Sequence, residues 1–141
     1  MAGLFSRAWD GHRSRIDDRL IADQLPGADE VSAWLGGGFE VFAAHLDGQL
    51  VGVIRCSFPT GTCQVDRMAV DPGRHRRGVG RALVEHAISR ARRAGVTKVW
   101  VQTTPKLEAV QALYRSLGFR ESGHLQAHYW GEDVILLELP L

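Results

Sequence analysis

The residues with the clearest chemical potential form one short turn, Arg74-His75-Arg76-Arg77-Gly78-Val79-Gly80, followed by Arg81. The turn stands between a strand-like run and the first turn of a segment with helical periodicity. The first amides of a helix have no partner inside it and carry the positive end of its dipole, so such a turn is ready to hold an anion. Gly78 and Gly80 present no side chain that would keep a diphosphate from the backbone, and Arg76, Arg77 and Arg81 add charge-assisted contacts. A helix dipole contributes about 0.3 to 1 kcal/mol, so the guanidinium groups should supply most of the attraction. Two other phosphate loops are excluded on spacing. A Walker loop ends in Gly-Lys-Ser/Thr, and a dinucleotide fingerprint needs a third glycine where Leu83 stands. A purely geometric role for the two glycines stays open. Cys56 and Cys63 are too few for a disulfide scaffold and lack zinc-site spacing. If Phe58-Pro59-Thr60-Gly61 turns a hairpin, the two thiols face each other on adjacent strands, reduced and structural.

The elements that must position the turn follow from periodicity. Val79, Leu83, Ala87 and Ala91 make one stripe from Gly78 to Arg93, a helix of about 24 Å that Gly95 ends. Upstream, Phe39 to Leu46 reads as a strand, Asp47-Gly48 as a hairpin turn, Leu50 to Cys56 as a second strand and Cys63 to Val70 as a third. Three strands joined by short turns make an antiparallel meander. Downstream, Val96 to Thr103 contains the buried-type strand Val99-Trp100-Val101. Leu107 to Leu117 is a helix carrying Val110, Leu113, Tyr114 and Leu117, capped by Gly118. A weaker strand runs to about Leu125, Gln126 to Asp133 is irregular, and Val134 to Leu139 is the last strand. The first third is helical, from Arg13 to Leu25 with Ile16, Leu20 and Ile21 at helical spacing, then from Asp29 to Leu35. The sum is an α/β (α+β) fold, a mixed, mostly antiparallel sheet with a right-handed crossover at its centre and helices on both faces.

At 141 residues the chain fits a single domain, residues 1–141, and 45% apolar with 23% charged residues is ordinary for a globular protein. The longest apolar runs, such as Val134 to Leu137, are too short to cross a bilayer. No basic region with a long apolar stretch follows Met1, so a cytoplasmic location is the default expectation. Net charge is +1 but uneven: eight arginines between Arg67 and Arg93 face only Asp71 and Glu85. A nucleic-acid interface on this arginine cluster is a competing reading, unsupported by any recognised binding motif.

Val70-Asp71-Pro72, the turn, the helix from Arg81 to Arg93 and Leu113-Tyr114-Arg115-Ser116-Leu117-Gly118-Phe119 closely resemble the GNAT superfamily of N-acetyltransferases. The resemblance covers roughly Phe39 to Leu139, and the family's usual Gln/Arg-x-x-Gly-x-Gly/Ala begins here with His75. It implies acetyl-CoA as cosubstrate, lying where the third meander strand and the strand after the long helix splay apart. His75, Arg76, Arg77, Gly78, Val79, Gly80 and Arg81 would then hold the diphosphate. The main chain of Met68, Ala69 and Val70 would pair with the pantetheine arm like an added strand. The amide near Met68 would polarise the thioester carbonyl. Ordinary strand packing is the alternative for Met68 and Val70.

By the same resemblance Tyr114 lies near the sulfur, where its phenol can donate to the departing thiolate; as a residue alone it also reads as core on an amphipathic helix. Where some members carry a catalytic glutamate this chain has Gln64, and Leu107 replaces an asparagine often found seven residues before the tyrosine. Asp66, two residues beyond Gln64, points to the same strand face and is the expected catalytic carboxylate. Glu40, His45, His124 and His128 are further candidates for a base. The acceptor, a primary amine of a small molecule or peptide, should meet the first helices and the segment from Gln126 to Asp133, whose aromatic and acidic residues suit a cation. No nucleic-acid or membrane partner is expected, and a homodimer is the family's common habit. A non-catalytic acyl-CoA-binding module is the alternative that Gln64 permits.

Overall fold

The structure is a computed structural model that describes residues 1–74 and 78–141. Its order is α1 (Ala2–Asp10), α2 (Asp18–Gln24), α3 (Ala28–Gly36), β1 (Glu40–Leu46), β2 (Gln49–Ser57), β3 (Cys63–Val70), α4 (Val79–Ala94), β4 (Lys98–Thr103), α5 (Glu108–Ser116), β5 (Arg120–Tyr129) and β6 (Glu132–Pro140). The six strands form one sheet in the order β1-β2-β3-β4-β6-β5. Among the described residues only β3 and β4 run parallel, joined through α4, and every other pairing is antiparallel. The expected mixed, mostly antiparallel sheet flanked by helices is what the chain forms. No helix among the described residues is long and apolar enough to cross a membrane.

The core lies where α4 and α5 cover the sheet. Val79, Leu83, Val84, Ala87, Ile88 and Ala91 of α4 are buried against Val51, Ile54, Val65, Val99 and Leu137. Each valine, leucine and isoleucine among them contributes about 1.5 to 3 kcal/mol on burial. Gly52 lets the helix come this close: a Cβ there would sit 2.7 Å from Val79 Cγ1 and 2.9 Å from Leu83 Cδ1. Because Gly52 pairs with Val70, the contact fixes the start of α4 against the end of β3.

The opposite face is covered by α1 and α3, with Leu4, Phe5 and Trp34 packed on Val53 and Ala69. The helix α1 was not expected from the sequence, although Leu4, Phe5, Ala8 and Trp9 have helical spacing. The helix expected from Arg13 to Leu25 starts at Asp18 instead, because the Asp17 carboxylate accepts the Arg19 amide at 2.8 Å and caps it there. The segment from Gln126 to Asp133 is a hairpin rather than irregular: β5 reaches Tyr129, and Trp130 (φ 50°) and Gly131 (φ 80°) turn it into β6. Two left-handed residues make a primed turn that matches sheet twist. Cys56 lies opposite Val65, so Cys63 is a diagonal neighbour and not its direct partner. Both thiols are free and buried, and the hydrogen bond to Cys63 together with burial holds Cys56 protonated.

Candidate active site

The strands β3 and β4 pair only at Cys63↔Val99 and Gln64↔Trp100 among the described residues, then part. On its other edge β3 carries a bulge: the four residues from Asp66 to Ala69 span the three from Arg55 to Val53, with Arg67 at φ 49°. A bulge bends and re-aims its strand. Between the parted ends lies a cleft of about 280 Å³ whose walls include Asp66 to Val70 and Val101 to Thr104. Leu107, Val110 and Tyr114 close it from below, and Ala8, Trp9, His12, Leu20, Gln24 and Tyr129 form the other side.

Of the expected site residues, Asp66, Met68, Ala69, Val70 and Tyr114 therefore line one cleft, together with Gln64. Tyr114 is buried edge-on to Phe119, with ring centroids 5.0 Å apart. Burial raises its phenol pKa above the ordinary value, with smaller pushes from Cys56 and Asp66. Asp66 is the one carboxylate among the described lining residues. Both its oxygens are taken by Arg55, at 2.8 and 2.7 Å. Arg55 is in turn stacked on Phe39 at 4.0 Å and Trp34 at 4.8 Å.

Gly78 takes a left-handed conformation (φ 74°) at the N-cap of α4, and among the described residues nothing fills the space where a side chain would be and no side chain caps the helix. The amide of Ala82 is bonded back to Gly78, which leaves the earlier amides of Val79, Gly80 and Arg81 without a helical partner. Gly80 is tightly held, and a Cβ on it would meet Leu113 Cδ2 at 3.2 Å and Val70 Cγ2 at 3.7 Å. The Arg81 guanidinium is engaged by Glu85 at 2.9 Å. His75, Arg76 and Arg77 lie outside the described residues. An uncapped helix start next to a strand edge left open by splaying suits a ligand with a phosphate end and an amide-bearing arm.

The other base candidates are away from the cleft. Glu40 pairs with Arg90 at 3.0 Å, His124 with Asp133 at 2.8 Å, and His45 and His128 are exposed. Of the hairpin, Tyr129 reaches the cleft, while Trp130 donates to Asp23 at 2.8 Å outside it. Several lining residues escaped the sequence reading. Trp9 and His12 belong to the unexpected α1 and its end, and Gln102, Thr103 and Thr104 were read only as strand and loop. The rim is tied together by polar contacts: Lys106 Nζ donates to the Arg15 carbonyl (2.8 Å) and to Glu132 (3.1 Å), the Asp17 amide to Glu132 (3.0 Å), and Gln24 to the Tyr129 hydroxyl (3.1 Å).

A family model described as "Acetyltransferase (GNAT) family" matches residues 5–119. The [Ribosomal protein bS18]-alanine N-acetyltransferase of Escherichia coli K12 is 40% identical over 78 residues, 52% of this chain and 53% of that protein. The crystal structure of the ribosomal-protein-S18-alanine N-acetyltransferase from Escherichia coli superposes with a TM-score of 0.73 at 27% identity, covering 99% of this chain and 84% of that one. Streptothricin acetyltransferase of Streptomyces lavendulae is 31% identical over 105 residues, 70% of this chain and 56% of that protein. In these sequence matches the chain spans about half the length of its relatives. A GNAT family acetyltransferase from Elizabethkingia anophelis with acetyl-CoA bound shares the fold, with a TM-score of 0.73 at 19% identity over 82% of this chain and 84% of that one.

Proposed function

The chain belongs to the acetyltransferase (GNAT) family, and from that premise we propose that it moves the acetyl group of acetyl-CoA directly to a primary amine of a small molecule or peptide, within a ternary complex. The observation that carries this reading is the opening between β3 and β4 beside the uncapped start of α4, with Tyr114 at its floor. Relatives named for a ribosomal-protein alanine and for streptothricin support an amine acceptor of either size. The neighbour with acetyl-CoA bound supports the cosubstrate.

Acetyl-CoA supplies, when bound, an acetyl group activated as a thioester. The amides of Val79 and Gly80 would hold the diphosphate, with Gly78 leaving room for it and His75, Arg76, Arg77 and Arg81 contributing as the family resemblance implies. The main chain of Met68, Ala69 and Val70 receives the amide-bearing arm at the open strand edge. The Met68 amide stabilises negative charge on the reacting carbonyl oxygen. Tyr114 steadies the departing sulfur by donating a hydrogen bond. Full proton transfer from an ordinary phenol (pKa about 10) to a thiolate (about 8.5) is uphill by roughly 2 kcal/mol, and the raised phenol of Tyr114 makes it steeper. Asp66 lines the same cleft with its charge balanced by Arg55, which engages both its oxygens, so it helps position the acceptor, which attacks as the neutral amine and gives its proton to water.

Arg90 of the basic stretch is paired with Glu40, and no recognised nucleic-acid-binding motif accompanies the cluster, which favours an amine acceptor over a nucleic-acid partner. Thiol release from acetyl-CoA against a panel of amines, aminoglycosides, polyamines, amino acids and peptides tests the proposal. Release with at least one class is expected; binding of acetyl-CoA without release from any of them would make the protein a non-catalytic module.

A further inference from the structure

Arg67 is a charge in the cleft that acetyl transfer as derived above leaves unused. It is half-buried, lines the cleft, and is held at φ 49° in the β3 bulge. A residue with a Cβ takes a left-handed conformation only at a steric cost. Its Nε is buried without an acceptor, and it makes no ion pair among the described residues. A buried donor left unsatisfied is unfavourable, and a ligand acceptor would relieve it. The adjacent Asp66 does not relieve it, because Arg55 occupies both Asp66 oxygens and is itself fixed between Phe39 and Trp34.

Two more groups wait in the same space. Thr103 and Thr104 are 7% and 5% exposed, line the cleft, and their hydroxyls have no hydrogen-bond partner among the described residues. Arg67 shares the cleft with Tyr129 of the β5–β6 hairpin. Val70, against which Gly80 packs, lies three residues further along β3, about 10 Å at strand rise. Arg67 thus stands apart from the phosphate turn. Among the described lining residues it is the single arginine and there is no lysine, so with Asp66 neutralised by Arg55 the cleft offers one net positive charge. One planar guanidinium fork matches one planar monoanion.

We infer that Arg67 receives a carboxylate of the acceptor, so that the amine acetylated here belongs to a small amino-carboxylic acid. The inference rests on the acetyl-transfer reading for its substrate, but the carboxylate site itself stands on the geometry of Arg67. The test compares thiol release with free amino acids and with their carboxamides, in the native protein, Arg67→Gln and Arg67→Lys. Carboxylates are expected to exceed their carboxamides by tenfold or more in kcat/KM, chiefly through KM. That preference falls below twofold in Arg67→Gln and is partly kept in Arg67→Lys, while stabilisation by acetyl-CoA is unchanged in both. A second readout needs no turnover: millimolar amino acid raises the melting temperature of the native protein and not of Arg67→Gln. Equal use of carboxamides, a preference that survives Arg67→Gln, or a preference for phosphate-bearing amines overturns the inference and leaves acetyl transfer standing. No thiol release from any amine, with Arg67-dependent stabilisation by the amino acid, overturns acetyl transfer and supports the carboxylate site. Neither release nor stabilisation overturns both.

Discussion

Tyr114 combines a fully buried ring with a place on the floor of the cleft, and that pairing sets what it can do. Its raised pKa keeps the phenol protonated through the neutral range, a fixed hydrogen-bond donor and a poor proton source. Tyr114→Phe keeps the edge-on contact with Phe119 and removes the donor; kcat should fall about 10- to 100-fold, less than full general-acid loss, with the dissociation constant for acetyl-CoA unchanged by titration calorimetry. The same burial has a consequence for stability. A folded pKa above the unfolded one means that the unfolded chain sheds the proton first, so stability is complete below the unfolded pKa and declines as pH rises past it. Thermal melts should therefore lose stability above about pH 10, by up to about 1.4 kcal/mol per pH unit from this group, and Tyr114→Phe should flatten that decline. Tyr114, Met68 and Val70 could be expected at one cleft because they sit in segments that resemble the acetyltransferase family, and all three line it. Arg67, Thr103 and Thr104 were not, since nothing in their immediate sequence shows that the strands carrying them separate and leave their polar atoms without partners.

The elements that build the site are β3 and α4, and their meeting depends on Gly52 of β2. Adding a Cβ there drives into Val79 Cγ1 and Leu83 Cδ1, and Val79 is the first residue of α4, so the helix start must move. Gly52→Ala should destabilise by about 1 to 3 kcal/mol, read by urea denaturation, and should weaken acetyl-CoA binding because the same displacement shifts the anion-holding amides. β3 and α4 were read from the sequence almost to the residue, since period 2 and period 3.6 are strong over their lengths. The β5–β6 hairpin was missed because its turn uses Trp130 at positive φ, which no turn residue advertises, with the Asp133 side chain bonded to the Ala127 amide at 2.8 Å to hold the bulge. The helix α1 was missed although its apolar spacing was present; its burial depends on Trp34, Val53 and Ala69 far along the chain.

At the scale of the whole molecule, the sheet is one continuous surface that is torn at one place, between β3 and β4, and the helices at the N-terminus and the β5–β6 hairpin roof that tear. Charge is uneven along the chain: the net charge is +1, while Arg74, Arg76, Arg77 and Arg81 fall close together in sequence about the start of α4. A ligand that bridges the torn strands should tie the two halves of the sheet together. Acetyl-CoA at 100 times its dissociation constant adds about 2.7 kcal/mol to stability, so differential scanning fluorimetry should show a rise of several degrees that shrinks as salt is raised. The most direct measurement is a crystal structure grown with excess acetyl-CoA. The predicted result is a diphosphate on the amides of Val79 and Gly80, an arm running along Met68 to Val70, and a thioester carbonyl oxygen about 2.7 to 3.1 Å from the Met68 amide. A cofactor bound elsewhere, or a cleft that stays closed to it at saturation, would contradict this.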